Sequence, residues 1–334
     1  MTRKKYAAAL LFAGALFAQS DWNWNLPKGF PVPLLPADNL MSAAKVELGR
    51  YLFYDTRLSV NGATACATCH RQELAFTDGR VTAIGATGEH HTRNAMSLVN
   101  VAYSASLTWS DPHMRELERQ ALVPMFGEQP LEMGLRRNDG LPRAIASDPR
   151  YLDLFARAFP AEAGPPTLEN AVKAIAAFER TIISASSSYD RYHYGGDNSA
   201  VTAAARRGET LFFSQPLSCF RCHGGFNFSD AIQYQNRPRH EASMHTTGVA
   251  SPGIFKAPSL RNVAVTGPYM HDGSLPSIEA VLDRYAAGGG HVAGQDPLIG
   301  GFTLTAPQRS DLIEFLHSLT DAALLHDPRF SKPQ

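Results

Sequence analysis

The chain has 334 residues, and its 31 basic and 31 acidic side chains cancel to a formal net charge of zero. Bulk charge therefore gives it no grip on nucleic acid or an anionic membrane. An apolar content of 44%, with 18 Phe and 11 Tyr, excludes a disordered chain, and four cysteines are too few for a disulfide scaffold of this length.

In chain order, the first twenty residues read as an address. Arg3, Lys4 and Lys5 form a positive start, and Ala7 to Ala18 is an apolar run too short to span a bilayer. Ala18-Gln19-Ser20 offers small residues to a signal peptidase, so residues 1–20 are expected to be removed before Asp21. A retained anchor is the alternative. Export in this form points to a periplasmic protein, and no later stretch has the length and apolarity of a membrane span.

Ser42-Ala43-Ala44-Lys45-Val46-Glu47-Leu48 predicts a helix that runs on into Gly49-Arg50-Tyr51-Leu52-Phe53. Beyond Leu58-Ser59 comes Cys66-Ala67-Thr68-Cys69-His70, a C-x-x-C-H motif. A second half begins similarly. Ala203-Ala204-Ala205-Arg206-Arg207 leads into Gly208-Glu209-Thr210-Leu211-Phe212, and Leu217-Ser218 precedes Cys219-Phe220-Arg221-Cys222-His223. No cysteine lies outside these two motifs.

This spacing is the signature of c-type haem attachment: two thiols bond the haem and the adjacent His, His70 or His223, reaches the iron. Two disulfides would not need the trailing His residues, and a zinc site on four thiolates would use neither. Two cytochrome c-like domains are expected, residues 21–190 and 191–334, each carrying one haem c.

Further helices are predicted over Asn170–Ser184, Ser277–Tyr285 and Ala306–Leu319, the last capped by Thr305. Strand signals are few. The expected fold is all-α, with long loops punctuated by Gly and Pro, notably Thr77–Asn94 and Gln233–Pro258, wrapped round the haems. Within Gln129-Pro130-Leu131-Glu132-Met133-Gly134, Glu132 is a carboxylate in an apolar, Pro-flanked loop. It is either a surface or capping group or an acid–base residue.

The combined pattern resembles the bacterial di-haem cytochrome c peroxidases, and within them the MauG-like branch. The residues that carry it are Leu52-Phe53-Tyr54-Asp55-Thr56-Arg57-Leu58-Ser59, Ala75-Phe76-Thr77-Asp78-Gly79, Arg93-Asn94, Trp109 and Pro130-Leu131-Glu132-Met133-Gly134. Ala257-Pro258-Ser259-Leu260-Arg261-Asn262 and Pro268-Tyr269-Met270-His271-Asp272-Gly273 complete it. Within that branch it is most similar to the methanobactin-associated, MbnH-type members, which oxidise a tryptophan of a partner protein, MbnP.

The resemblance implies a site. The His70 haem would be five-coordinate and react with hydrogen peroxide, with Glu132 as distal acid–base residue and Gln120 and Pro124 lining the pocket. The His223 haem would be six-coordinate, with Tyr285 in place of the Met of ordinary family peroxidases. Ordinary packing also accounts for a Tyr on that helix. Trp109 would couple the haems electronically, and Asn94, Thr266 and Pro268 would hold Ca²⁺.

Two departures bear on function. Glu89-His90-His91 occupies the loop that in typical members supplies a resting His ligand, so a His ligand from this loop stays open. Ser214-Gln215-Pro216-Leu217-Ser218 lacks the surface Trp through which MauG acts on its methylamine dehydrogenase precursor. The implied function is peroxide-dependent oxidation of a tryptophan on an MbnP-like periplasmic protein, through an oxidised state shared by both haems. The alternative is a cytochrome c peroxidase fed by a small cytochrome or cupredoxin. A non-enzymatic electron carrier is a third reading.

Overall fold

A computed structural model describes residues 22–136, 140–161, 165–237, 243–247 and 253–334. The expected leader and its cleavage point before Asp21 lie outside these residues. The helices described are α1 (Ala43–Phe53), α2 (Cys66–Cys69), α3 (Leu117–Phe126), α4 (Arg143–Ala146), α5 (Pro149–Ala158), α6 (Leu168–Arg180), α7 (Ser188–His193), α8 (Ala203–Phe212), α9 (Ile278–Ala286) and α10 (Ala306–Ser318). Their starts are chemically defined. The hydroxyls of Ser42, Thr167, Thr202, Ser277 and Thr305 each accept from a backbone N–H in the first turn. The helix expected to reach Ser184 ends at Arg180 instead.

The all-α expectation is not met. Helix, 3-10 turns included, accounts for only 36% of the described residues. A short antiparallel pair, β1 (Met244–His245) with β2 (Phe255–Lys256), and isolated bridges such as Ile84 with His90 and Glu128 with Leu131 hold the loops. The physical reason is the composition: 26 Gly and 22 Pro break helices, and the freed backbone groups must find partners in turns and bridges.

Two helix pairs organise the cores, and they are built alike. α1 packs on α6, and α8 on α10. At each crossing a glycine permits backbone contact: a Cβ on Gly49 would overlap the carbonyl oxygen of Ala174, and a Cβ on Gly208 that of Asp311. Beside each glycine an aromatic pair locks the crossing. Phe53 and Phe178 lie 5.2 Å apart between ring centroids, and Phe212 and Phe315 5.1 Å.

The repeat extends through the loops. Phe76 and Phe228 both adopt left-handed backbone (φ 62° and 48°), as do Asn100 and Asn262 (φ 56° and 61°). Asn100 N donates to Ile182 O and its side-chain oxygen accepts from Ser184 N. Asn262 N donates to Leu319 O and its side-chain oxygen accepts from Asp321 N. Asn suits both positions because its short amide tolerates this conformation and bonds locally.

The division between the two halves is not a simple cut. Residue 190 falls inside α7, and Arg261 grips Asp190 with two buried bonds of 2.9 Å. The tail returns across the molecule, burying Leu324, Leu325 and Phe330 in the first core.

Candidate haem sites

At the first site, α2 presents Cys66 and Cys69, and His70 N donates to Cys66 O at 3.0 Å. At the second, a 3-10 turn over Cys219–Arg221 presents its cysteines, and His223 N donates to Cys219 O at 2.9 Å. All four thiols are free, which removes the disulfide reading. Burial pushes the Cys66 thiol up, and those of Cys69 and Cys219 to about 11.

Both motif histidines are oriented as metal ligands. His70 Nδ1 bonds Phe76 O at 2.9 Å, and His223 Nδ1 bonds Phe228 O at 3.2 Å and Pro258 O at 3.1 Å. The carbonyls fix the tautomer, with the proton on Nδ1 and Nε2 left as the donor atom for iron. Burial lowers both pKa values, so both rings are neutral and able to ligate. The left-handed Phe76 and Phe228 aim those two carbonyls. The donor set fits two covalently bound haems.

Glu132 lies over the first site. Met133 N donates to Pro124 O, Val60 N to Met133 O and Ala86 N to Glu132 O, at 2.7–2.9 Å. These bonds set the Glu132 loop against α3, where Gln120 and Pro124 share a face at i and i+4. The Glu132 side chain is 36% exposed, yet its carboxylate is desolvated and its pKa is pushed up to about 7. Its charge acts on both the Cys66 and the Cys69 thiols, so the carboxylate lies within electrostatic range of that pair. His91 Nδ1 approaches Glu132 Oε1 to 3.8 Å, and His91 Nε2 is buried with no hydrogen-bond partner among the described residues. His90, its neighbour, is exposed and contacts Thr82.

Tyr285, on α9, is the counterpart at the second site. Its hydroxyl is desolvated, which raises its pKa to about 12, and the charges of Cys222 and Cys219 add to the shift. The phenol thus lies buried within electrostatic range of the second cysteine pair. Nearby, His245 bonds Asp230 at 2.8 Å through Nε2 and Asp296 at 2.7 Å through Nδ1. The Asp230 bond leads in raising its pKa to about 11. Cys222, Asp230 and His245 bring ligand atoms within 4.8 Å of one another. Both imidazole nitrogens are already committed to carboxylates, so this cluster is a charged clasp and not a metal centre.

Trp109 bridges the halves: its Nε1 donates to Asn94 O at 2.9 Å, and its carbonyl accepts from Lys256 N on β2 at 3.0 Å. Asn94 is buried, its side-chain nitrogen bonds Arg80 O at 2.7 Å, and its backbone N bonds His271 O. That last bond ties Asn94 to the segment containing Thr266 and Pro268. Sequence reading gave no role to the His245 clasp or to the Arg93–His271 contact. Isolated histidines in irregular loops carry no periodic signal, although the repeated Asn-Val-Ala at 100–102 and 262–264 was there to be read.

Residues 43–199 match the family described as di-haem cytochrome c peroxidase. Over 85% of its length the chain is 34% identical to methylamine utilization protein MauG of Methylorubrum extorquens, covering 80% of that protein. The chain belongs to the di-haem cytochrome c peroxidase family. Another peroxidase of this family, cytochrome-c peroxidase IdrP1 of Denitromonas iodatirespirans, is 33% identical over 89% of this chain and 87% of its own length. Among solved structures, a MauG-like protein associated with microbial copper homeostasis superposes with a TM-score of 0.89 at 40% identity, over 93% of this chain and 99% of that one. This family member is therefore a di-haem oxidoreductase of the MauG-like branch. No helix among the described residues is long and apolar enough to cross a membrane.

Proposed function

We propose that this di-haem peroxidase uses hydrogen peroxide to oxidise a tryptophan on an MbnP-like partner protein in the periplasm. The observation that carries the reading is the buried Tyr285 within electrostatic range of the second cysteine pair, where a Met would suit an electron-accepting haem. The 40% identity to a copper-homeostasis MauG-like protein supports it, as does the absence of Trp from Ser214–Ser218. Bound at the two cysteine pairs, the haems supply the redox chemistry. Overall, peroxide takes up two electrons and two protons to become water, and the tryptophan gives up the two electrons.

The side chains have separate tasks in this reading. Glu132, with a pKa near neutrality, takes a proton from peroxide and returns it to the departing oxygen, while Gln120 and Pro124 line the approach. Tyr285 would hold the second iron. Trp109, bonded to both halves, couples the two sites electronically. Asn94, Thr266 and Pro268 supply the hard oxygens that suit Ca²⁺. Residues 21–190 and 191–334 form the two cytochrome c-like units, exported by the leader at 1–20.

The second reading is peroxide detoxification with electrons from a small cytochrome or cupredoxin. The nearness of His91 to Glu132, and the kinship with cytochrome-c peroxidases, favour it. Adding peroxide to the as-isolated ferric protein separates the two. A persistent spectral change at both haems without prior reduction supports partner oxidation. A requirement for half-reduction supports detoxification and overturns the first reading.

A further inference from the structure

His271 is almost wholly buried, at 2% exposure, and Arg93 donates to its Nδ1 at 2.8 Å. A guanidinium only donates, so Nδ1 must accept and the ring proton must sit on Nε2. That Nε2–H is buried and has no hydrogen-bond partner among the described residues. The ring cannot turn to find one. It stacks on Phe255 with centroids 3.8 Å apart and planes 14° from parallel, and the Arg93 guanidinium lies 5.2 Å from the centre of the same Phe255 ring. A buried donor left unpaired is costly, so a donor held this rigidly implies an acceptor supplied from outside the chain.

The location narrows the acceptor. His271 O accepts from Asn94 N, and Asn94 O accepts from Trp109 Nε1. On the other side, Phe255 pairs in register with His245, whose Nδ1 is 3.9 Å from Cys222 Sγ. The donor therefore sits where Asn94 and Trp109 meet the β1–β2 pair that borders Cys222. Asp272, the adjacent carboxylate, accepts from Ser274 N. A cation beside a fixed N–H is a cradle for a carboxylate.

We propose that His271 Nε2–H, backed by Arg93, binds a carboxylate at this junction, namely a propionate of one of the two haems. The inference rests on the family's two haems and not on the choice of substrate. The pair is a positioning and tuning element. By hydrogen-bonding the carboxylate it withdraws negative charge from that haem and raises its reduction potential.

The test uses the haem-loaded full chain. Redox titration and resonance Raman spectra are compared for wild type, His271→Gln, His271→Leu and Arg93→Gln. His271→Leu should lower the midpoint of one haem, leave the other unmoved and displace that haem's propionate bending band. The haem that shifts identifies whose propionate is held. His271→Gln, which keeps an N–H donor, should restore most of both signals. Arg93→Gln keeps the ring and should move the same haem in the same direction, so it decides the matter if the Leu variant does not fold. Unmoved midpoints and propionate bands in Arg93→Gln and His271→Leu would overturn the proposal. So would equal shifts of both haems, or a Gln variant no different from Leu.

Discussion

His91 Nδ1 lies 3.8 Å from Glu132 Oε1, and burial disfavours the charged form of each. Burial lowers the His91 pKa below its ordinary value and raises that of Glu132 to about 7. As pH falls, the proton therefore goes to the carboxylate first while the imidazole stays neutral. His91→Phe removes no charge near pH 7. The pH midpoint of the peroxide reaction should accordingly stay near 7, measured by stopped flow. A midpoint displaced upward by about a unit or more would reveal a charged His91 and sink this description.

Glu132→Gln should retain both covalent haems and slow the reaction with peroxide by about 10²–10⁴-fold, the usual worth of a positioned acid–base group. In the wild type the ionised carboxylate is the proton acceptor. Its raised pKa means the rate should climb with pH and level off above about 7. In the Gln variant that step should be missing. An unchanged rate removes Glu132 from the chemistry.

Tyr285→Phe tests the second site. Attachment through Cys219 and Cys222 is local, so the variant should still carry two haems and still react with peroxide at the first. What should disappear is the spectral change shared by both haems, read in the near infrared, and with it oxidation of the partner. If Tyr285 only packs, the variant shows a modest stability loss and a normal near-infrared signal, and Met270 or Met244 become the next ligands to examine.

Gly49→Ala and Gly208→Ala set helix propensity against packing. Propensity alone predicts a gain of about 1 kcal/mol for each. The added methyl would strike the backbone carbonyls of Ala174 and Asp311, which no side-chain rotation relieves. Overpacking of this kind costs about 1–3 kcal/mol or more, so both variants should be destabilised in denaturant unfolding. A stabilised variant would show that the crossing relaxes freely.

Glu179 gives a pH-dependent stability. It is buried on α6 with Oε2 unpaired among the described residues, because Arg180 is engaged by Glu118 at 2.8 and 2.9 Å. Burial raises its pKa to about 8. The folded state then holds a proton that the unfolded state releases near 4.5, so stability is greatest below about 4.5 and declines as pH rises to about 8. The decline from this residue is on the order of a few kcal/mol. Glu179→Gln should flatten that part of the stability–pH curve, and an unaltered slope would contradict the assignment.

Much of the haem chemistry was legible in the residues themselves. Cys66, Cys69 and His70 lie within five positions, as do Cys219, Cys222 and His223, so the attaching groups are adjacent whatever the fold does. The Gly-x-x-Leu-Phe leaders likewise signalled a repeat, and the structure turns it into two matched helix crossings at Gly49 and Gly208. The all-α reading failed because helical periodicity reports only on helices. It is silent about how Gly- and Pro-rich loops satisfy their backbone through bridges and a small hairpin.

By itself the sequence determined the two C-x-x-C-H motifs, the Thr305 cap and the family pattern, because each depends on residues close together in the chain. Only the tertiary structure decided that His91 meets Glu132, that His245 is clasped by Asp230 and Asp296, and that Arg93 orients His271 from 178 residues away. Those contacts are made by loops without periodicity. Their positions follow from how the two helix pairs pack and where the chain must close its hydrogen bonds, and no local pattern of residues encodes that distance.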